Sequence, residues 1–357
     1  MIRVRSLSSL YLPAALSLAA LLVSGQTLAD TVKEIRIAVP DISAGPTPSG
    51  AGIVDVLRDQ QALEKEFEKD GIKVRWDFFK GAGPAINEAL ANGQEDFAYL
   101  GDLPAIIGKA GGLDTRLLSA VARDVKLYLA VQPGSGIKTF EELKGKRVAI
   151  FRGTATQLSF ASALAHQGLK ESDYKVVNLD YNAANAALAA KQIDATWAGA
   201  GLIALKAKGL AELPLTTVDL GGAGSMQAVL LGRGAFVDAH PELVARLIKA
   251  QQPAITWIRN DEHKQAYIDL VSRLASYPPA ILTADAADQS MPKIFAPQLD
   301  PTFIGNLQRS VDLALDAKLI RKGFDVSTWA EPRFIDAALQ GTSATADTST
   351  QTPQASR

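Results

Sequence analysis

Short apolar runs alternate along this chain with longer stretches in which apolar residues recur every three or four positions. The first pattern predicts strands and the second predicts helices. From residue 35 the predicted order is strand Ile35–Val39, helix Ile53–Phe67, strand Ile72–Phe79, a helix from Pro84 to about Asn92, and strand Asp96–Leu100. The order returns as strands Arg147–Phe151, Lys175–Leu179 and Ile193–Ala198, separated by helices Gln157–Gln167 and Ala183–Lys191. Two such units predict an α/β protein with parallel sheets and helices on both faces.

An internal repeat links the two units. Asn87–Gly101 reads NEALANGQEDFAYLG, and Asn185–Gly199 reads NAALAAKQIDATWAG. Each segment passes from an amphipathic helix through a tight turn into an apolar strand that ends at glycine. We therefore expect two similar Rossmann-like lobes with a cleft between them, and clefts of this kind bind small molecules.

The lobe boundaries follow from the same pattern. Lobe one is expected to comprise residues 30–130 and 231–335, and lobe two residues 131–230. A two-strand hinge is expected near Leu129–Gln132 and Ala228–Leu231. Lys138–Lys144 is expected to be a short helix with a capping box of Thr139 and Glu142. From Pro241 onward the pattern is helical, over Pro241–Arg259, His263–Ala275 and Pro301–Ala317, and these helices are expected to pack on lobe one. The tail, residues 341–357, has no large apolar residue and is expected to be disordered.

The first 29 residues differ in character from the rest. Arg3 and Arg5 precede the apolar run Leu10–Val23, and Thr27–Ala29 offers small residues for cleavage. This pattern is typical of a secretory signal peptide. An uncleaved membrane anchor is the alternative, but the run is shorter than the ~20 residues that span a bilayer. The chain has no cysteine, which excludes disulfides, thiolate chemistry and a lipid anchor on cysteine. We expect a soluble periplasmic protein.

Charge and motif content narrow the possible functions. The formal net charge is −1, and −3 without the two arginines of the leader, so nothing favours nucleic acid or an anionic membrane as partner. None of the three histidines has a metal-ligand partner at i+3 or i+4, and no G-x-S-x-G elbow is present. Gly199–Ala204 matches a dinucleotide fingerprint, but it follows the third strand of its lobe. We expect no catalysis, no cofactor and no metal.

The loops after the strands carry the candidate binding residues, because ligands of such lobes lie beyond the carboxyl ends of the strands. The most informative loop is Gly153, Thr154, Ala155 and Thr156. Glycine lets a ligand approach the backbone. Two hydroxyls and several unpaired N–H groups at a helix N-terminus then suit an anion. The alternative is that one of the threonines simply caps the helix.

The remaining candidates each have two interpretations. Asp102 is either an N-cap or an acceptor that faces the cleft. Arg152 either pairs with an anion or points to solvent. Trp197 forms either a wall of the cleft or part of the core. Ser225, in the glycine-rich segment 221–225, either offers backbone N–H groups or only permits bending. Two serines of the first loop and a glycine after the third strand complete the set: Ser43, Ser49 and Gly101.

Several segments together resemble a known family. Ser135–Ala149 (SGIKTFEELKGKRVA) resembles the start of lobe two in periplasmic solute-binding proteins of ABC importers. Asn87–Leu103 and Phe151–Leu158 (FRGTATQL) are similar to the sulfonate, taurine and nitrate branch. The resemblance spans Ile35–Trp329. It implies a monomeric type II binder that closes by a hinge and delivers its ligand to a permease and an ATPase. It also implies anion contacts before Ile53, at Gly101–Asp102 and at Thr154–Thr156.

The chain departs from this family pattern in two places. Sulfonate binders often show Trp-Asp-Pro after the second repeated strand, whereas this chain has Trp197–Ala200 (WAGA). The first loop, SAGPTPSG, is also unusual, and both differences predict a wider or differently lined pocket. We expect an organosulfur oxyanion, an aliphatic sulfonate or sulfate ester, as ligand. The alternatives are taurine, nitrate or bicarbonate, a thiamine-precursor pyrimidine, a periplasmic enzyme on the same scaffold, and a sensing module.

Overall fold

The computed structural model describes residues 31–348. Its strands are β1 Glu34–Pro40, β2 Lys73–Phe79, β3 Phe97–Gly101, β4 Thr115–Val125, β5 Tyr128–Val131, β6 Arg147–Ile150, β7 Lys175–Asn178, β8 Ala195–Ala198, β9 Glu212–Thr216 and β10 Met226–Arg233. Its α-helices are α1 Gly52–Gln60, α2 Ala62–Phe67, α3 Ala82–Ala91, α4 Asp102–Ala110, α5 Ala155–His166, α6 Tyr181–Ala189, α7 Gly201–Ala207, α8 Gly234–Ala239, α9 Pro241–Ala250, α10 Gln252–Arg259, α11 Lys264–Ala275, α12 Pro279–Ala286, α13 Met291–Ile294, α14 Pro301–Asp316 and α15 Arg333–Thr348.

The strands form two sheets of the same design. The first has the order β2-β1-β3-β10-β4 and the second β7-β6-β8-β5-β9. In each, the first three strands are parallel and the last two antiparallel to their neighbours. The repeated segments contribute α3 with β3 to one sheet and α6 with β8 to the other. The predicted mixed α/β architecture with two related sheets is therefore confirmed.

The chain passes between the sheets at two places, residues 126–127 and 217–225. Among the described residues, β5 pairs only with β8 and β9, and β10 only with β3 and β4. The predicted hinge strands, Leu129–Gln132 and Ala228–Leu231, thus lie wholly within one sheet each. The connections between the sheets come a few residues before these strands. Local pattern does not reveal this, because the sheet that a strand joins is decided by its pairing with strands distant in sequence. The sheets divide the chain near residues 126 and 225 rather than near 130 and 231.

Helices cover both faces of the second sheet. Phe140, Phe160 and Trp197 form an aromatic core on one face, with ring centroids 5.4–5.7 Å apart. Small residues of α6 and Leu202 of α7 fill the other face. On the first sheet, α14 packs its Phe303 into the same cluster as residues of β3 and α4. The residues after Pro241 therefore return to the first sheet.

Three predicted helices differ in the structure. The predicted helix Ile53–Phe67 breaks at Gln61, whose φ of 51° ends α1 before α2 begins. Pro253 divides Pro241–Arg259 into α9 and α10, because proline lacks the N–H that a continuous helix needs. Lys138–Lys144 is only a 3-10 turn at Glu141–Leu143, although the Thr139–Glu142 capping box is present.

The ends of the chain are described only in part. The predicted signal peptide, residues 1–29, lies outside the described residues. So do residues 349–357 of the predicted disordered tail, whereas residues 341–348 end α15. No α-helix within residues 31–348 has the length and apolar character needed to cross a bilayer.

Candidate functional site

A cavity of about 470 Å³ lies between the two sheets. Its lining comes from the carboxyl ends of the parallel strands of both sheets and from the helix starts that follow them. Within residues 31–348 these are the N-termini of α1, α3, α4, α5, α6 and α7. Each helix N-terminus carries a partial positive charge and N–H groups without partners inside the helix. The sequence rule that places ligands beyond these strand ends therefore selects the cavity.

The N-terminus of α5 presents free hydrogen-bond donors to the cavity. Thr154 is the N-cap residue by position, but its side chain makes no capping hydrogen bond. Its hydroxyl instead donates to the Phe151 carbonyl at 2.6 Å and lies 2.7 Å from the Thr156 hydroxyl. Among the described residues, the backbone N–H groups of Ala155 and Thr156 have no acceptor. An anion placed here would accept hydrogen bonds from both N–H groups.

Tyr181 adds a third hydroxyl to this corner. It begins α6, and its phenol interacts with the hydroxyls of Thr154 and Thr156. Burial raises the pKa of Tyr181, so the phenol keeps its proton at neutral pH. Its ring meets Phe151 edge to face, with centroids 5.3 Å apart. The corner thus combines neutral O–H and N–H donors from two adjacent helix N-termini.

The N-terminus of α1 differs because the chain itself already occupies it. Asp55 is fully buried, and its carboxyl accepts a hydrogen bond at 2.5 Å from the Ser49 hydroxyl, which in turn accepts from the Ala51 N–H at 3.1 Å. The Gly52 N–H donates to the Tyr267 hydroxyl at 3.1 Å. A carboxylate and a phenol therefore stand where an anion would bind at α5, and the two helix ends are chemically unequal.

The charged groups of the lining are mostly engaged. Asp41 accepts from the Ser43 N–H at 3.0 Å, Asp180 caps α6, and Asp285 accepts from the Tyr128 hydroxyl at 2.7 Å. Lys126 pairs with Asp288 at 2.6 Å. Lys80, at the rim, is the one lining cation that makes no ion pair within residues 31–341. An anion in the cavity would be held mainly by dipoles.

The two sheets approach each other closely beside the cavity. A Cβ atom added to Gly101 would lie 2.5 Å from the Cβ of Ala155, and one on Gly153 would lie 2.9 Å from Pro84. These contacts bring the starts of α3 and α4 against the start of α5. Only glycine allows this separation at either position.

The structure divides the predicted site residues into two groups. Five line the cavity: Ser43, Gly101, Thr154, Ala155 and Thr156. Six do not: Ser49, Asp102, Arg152, Gly153, Trp197 and Ser225. Contact of the first group with a ligand is a proposal, and the second group makes the contacts within the protein that are described next.

Trp197, Arg152 and Ser225 are directed elsewhere. Trp197 is 1% exposed and donates to the Ser159 hydroxyl at 2.7 Å, so it belongs to the core. The Arg152 guanidinium pairs with Glu171 at 2.7 Å on the surface. The glycine-rich segment 221–225, with Ser225, turns back on α5, where the Gly224 N–H donates to Ser162. Gly224 therefore permits close packing on α5, where an added Cβ atom would lie 2.9 Å from the Ser159 carbonyl oxygen.

Asp102, Ser49 and Gly153 have structural partners. The Asp102 carboxyl is buried and accepts from the N–H groups of Leu103 at 2.7 Å and Gln227 at 3.2 Å. Burial raises the pKa of Asp102 to about 7. The Ser49 hydroxyl donates to the Asp55 carboxyl. The Gly153 N–H donates to the Gln157 side chain at 2.8 Å. Asp102 thus ties the start of α4 to β10, just after the second connection between the sheets.

Several lining residues were not predicted from the sequence. Tyr267 and Phe295 reach the cavity from the C-terminal helices, and Gly199–Gly201 reaches it at the start of α7. The loop rule would have selected Gly199–Gly201 as the counterpart of Gly101. Tyr267 and Phe295 gave no such signal, because their spacing is that of ordinary core positions. No cluster of histidine, cysteine, aspartate or glutamate suited to a metal occurs in the part of the chain that the structure describes.

Fold and cavity together are those of a type II periplasmic binding protein. A family model described as NMT1/THI5 like matches residues 62–264, more than half of the chain, and the chain belongs to this family.

Similar proteins include a Bacillus subtilis (strain 168) protein, provisionally named an aliphatic sulfonates-binding protein. It is 27% identical over 314 residues, 87% of this chain and 89% of the relative. The taurine-binding periplasmic protein of Escherichia coli (strain K12) is 29% identical over 220 residues, 59% of this chain and 67% of the relative.

Solved structures support the same fold. A provisionally named periplasmic sulfonate-binding protein, SsuA, of an ABC transporter from Methylobacillus flagellatus KT aligns with a TM-score of 0.75 and 28% identity. The alignment covers 92% of this chain and 99% of that one. The desulfurization enzyme DSZB aligns with a TM-score of 0.63 and 17% identity, over 86% and 100% of the two chains. The scaffold therefore carries both binding proteins and an enzyme.

Proposed function

We propose that this protein is the periplasmic substrate-binding component of an ABC importer and captures an organosulfur oxyanion, an aliphatic sulfonate or a sulfate ester, between its lobes. The observation that carries the proposal is the start of α5. There, two unpartnered N–H groups and the hydroxyls of Thr154, Thr156 and Tyr181 meet at the cavity. The same class of ligand is supported by two relatives, which are named for binding aliphatic sulfonates and taurine.

The energetics suit an oxyanion held without a buried cation. A hydrogen bond to a charged group contributes about 1.5–3 kcal/mol. A micromolar dissociation constant corresponds to about −8 kcal/mol. The free N–H groups of Ala155 and Thr156 and the nearby Tyr181 hydroxyl supply such bonds, and three oxygens on one sulfur atom can accept them together. The remaining free energy comes from burial of the organic part.

Binding without turnover is the second part of the proposal. Asp41, Asp180 and Asp285 are the carboxylates of the lining, and each already accepts a hydrogen bond from the protein. Asp102, the best candidate base in the sequence, lies outside the cavity with both carboxyl oxygens engaged. Delivery to a permease and an ATPase is then the role that remains for a captured ligand.

Calorimetry and thermal shift on the chain from residue 30 test this function. The panel contains alkanesulfonates, alkyl and aryl sulfate esters, taurine, nitrate and bicarbonate, in a Tris–chloride buffer because many common buffers are sulfonates. Hexanesulfonate is compared with hexanol, which has the same carbon skeleton without the oxyanion. We expect micromolar binding of hexanesulfonate only. At a hundredfold excess over the dissociation constant, a ligand stabilises by about 2.7 kcal/mol.

Three outcomes would overturn the proposal. If no organosulfur oxyanion binds, the assignment of the ligand is wrong. If hexanol binds as tightly as hexanesulfonate, the α5 corner does not recognise the anion. If the bound compound is recovered chemically changed, the protein is an enzyme on this scaffold.

A further inference from the structure

The cavity has a second, chemically different end. We call it the apolar wall and define it by six residues of the C-terminal helices and the turn that follows α13: Tyr267, Val271, Leu282, Met291, Ile294 and Phe295. The rings of Tyr267 and Phe295 meet edge to face, with centroids 5.9 Å apart. The wall faces the interior of a cavity whose size falls within the ~300–1,000 Å³ range of sites for drug-sized ligands.

The apolar wall stands against the N-terminus of α1, where the chain itself supplies partners. A Cβ atom on Gly52 would lie 3.4 Å from the Phe295 ring, and the Gly52 N–H is already bonded to the Tyr267 hydroxyl. The buried Asp55 carboxyl occupies the same N-terminus. At α5, by contrast, the N–H groups of Ala155 and Thr156 have no acceptor among the described residues. A ligand that enters this cavity is therefore oriented, with its anionic group at α5 and the rest of the molecule towards α1 and the wall.

A carboxylate of the lining near the wall already has a protein partner. Asp285 is the carboxylate nearest in sequence to Leu282. Its side chain accepts from the Tyr128 hydroxyl, and its backbone carbonyl accepts from Lys126 at 2.9 Å. Lys126 in turn pairs with Asp288. An ammonium group placed there would lose its hydration, which costs free energy, and it would have to share the Asp285 carboxyl with the Tyr128 phenol.

We infer that the ligand carries an uncharged, bulky apolar group, an aromatic ring or an alkyl chain of several carbons, and that the apolar wall sets this specificity. The inference rests on the proposed function, because it concerns the organic part of the same oxyanion. It excludes bare inorganic anions, which leave the wall empty, and short zwitterions such as taurine, which place an ammonium group near it.

A homologous series of ligands tests the inference. Methane-, butane- and hexanesulfonate, benzenesulfonate and taurine are titrated by calorimetry. Each CH₂ that reaches the wall is expected to tighten binding about fourfold, so hexanesulfonate should bind at least a hundredfold more tightly than methanesulfonate, and taurine should be among the weakest. Binding that is independent of chain length, or tightest for taurine, would overturn the inference while leaving the proposed function intact. If no member of the series binds, the proposed function itself has failed.

Two variants assign the effect to the wall. Phe295→Ala should weaken hexanesulfonate binding at least tenfold and change methanesulfonate binding less than twofold. Phe236→Ala is the matched control, because Phe236 is 6% exposed against 8% for Phe295 but packs on Phe97 away from the cavity. Leu282→Asn is a second wall variant at a half-buried position, where folding tolerates the change better. Equal losses for both sulfonates, or a similar loss in Phe236→Ala, would show that the wall does not select the organic group.

Discussion

At the residue scale, the site depends on which polar groups are already satisfied. Thr154 and Asp102 illustrate the two cases. Thr154 occupies an N-cap position without capping, so the adjacent N–H groups remain available to a ligand. From the sequence, Asp102 could lie either at the helix cap or in the cleft. In the structure its carboxyl already accepts hydrogen bonds from two backbone N–H groups. The sequence identifies residues of the right chemical type, but their partners come from distant segments such as Gln227.

The threonine pair carries the first prediction. Thr154→Val with Thr156→Val removes two hydroxyls at nearly constant volume, and we expect hexanesulfonate binding to weaken at least tenfold in calorimetry. The serine pair, Thr154→Ser with Thr156→Ser, keeps the hydroxyls and should bind within about threefold of the natural protein. Thr196→Val controls for loss of a buried threonine outside the cavity, where its hydroxyl donates to the Ala149 carbonyl. Unchanged affinity in the valine pair would remove α5 from the site.

Asp102 gives a prediction about pH. Burial raises the pKa of Asp102 to about 7, whereas aspartate in an unfolded chain titrates near 3.9. The folded state therefore holds this proton more tightly. The resulting stabilisation is complete below about pH 4 and is lost as the pH rises through about 7.

Asp102→Asn cannot ionise at this position. Its free energy of unfolding, relative to that of the natural protein, should rise between pH 4 and pH 7 and level off above. Urea unfolding at a series of pH values measures this difference, and the effect of other raised groups such as Glu95 cancels in it. Parallel pH curves for the two proteins would show that Asp102 does not titrate in this range.

At the element scale, local pattern predicts the order of strands and helices but not their partners. The repeat Asn87–Gly101 and Asn185–Gly199 predicts two related sheets, because each copy holds a complete helix, turn and strand. The break at Gln61 was missed, since the apolar spacing continues across it. The predicted hinge position differs from the observed connections by a few residues. The sheet that β5 or β10 joins depends on pairing with strands far away in sequence.

The contact between α4 and α5 carries a prediction at this scale. Gly101 has an ordinary negative φ of −69°, so alanine there meets no backbone strain. Its Cβ would nevertheless lie 2.5 Å from that of Ala155. Gly101→Ala should therefore hold the two helix starts apart and weaken hexanesulfonate binding at least tenfold, as measured by calorimetry.

Gly305→Ala in α14 is the control for this variant. A Cβ atom there has only the end of the Arg309 side chain within 4 Å, at 3.7 Å, and ligand binding should not change. Full affinity in Gly101→Ala would show that the approach of α4 to α5 is not needed for binding.

At the scale of the whole molecule, the sequence predicts the class of site better than its contents. The loops after parallel strands converge because the topology brings them together, so Thr154–Thr156 could be selected in advance. The apolar wall could not, because Tyr267 and Phe295 follow the last of those loops by more than 60 residues. Their helical spacing is the spacing of core residues, and only the packing of the C-terminal helices on the first sheet turns them towards the cavity.

The geometry of the connections leads to a prediction about shape. The cavity lies between sheets that are joined only at residues 126–127 and 217–225 within the described chain, and close contacts at Gly101 and Gly153 stand beside it. We expect these contacts to open in the ligand-free protein and to close when a ligand the size of hexanesulfonate is bound. Small-angle scattering of the chain from residue 30 should therefore give a larger radius of gyration without ligand than with saturating hexanesulfonate. The radius of gyration of the closed form should lie near the ~20 Å of a compact chain of this length.

Gly101→Ala should keep the larger radius of gyration with and without ligand, which separates closure from simple stabilisation. Superimposable curves for the natural protein would mean that ligand enters a cleft that does not close.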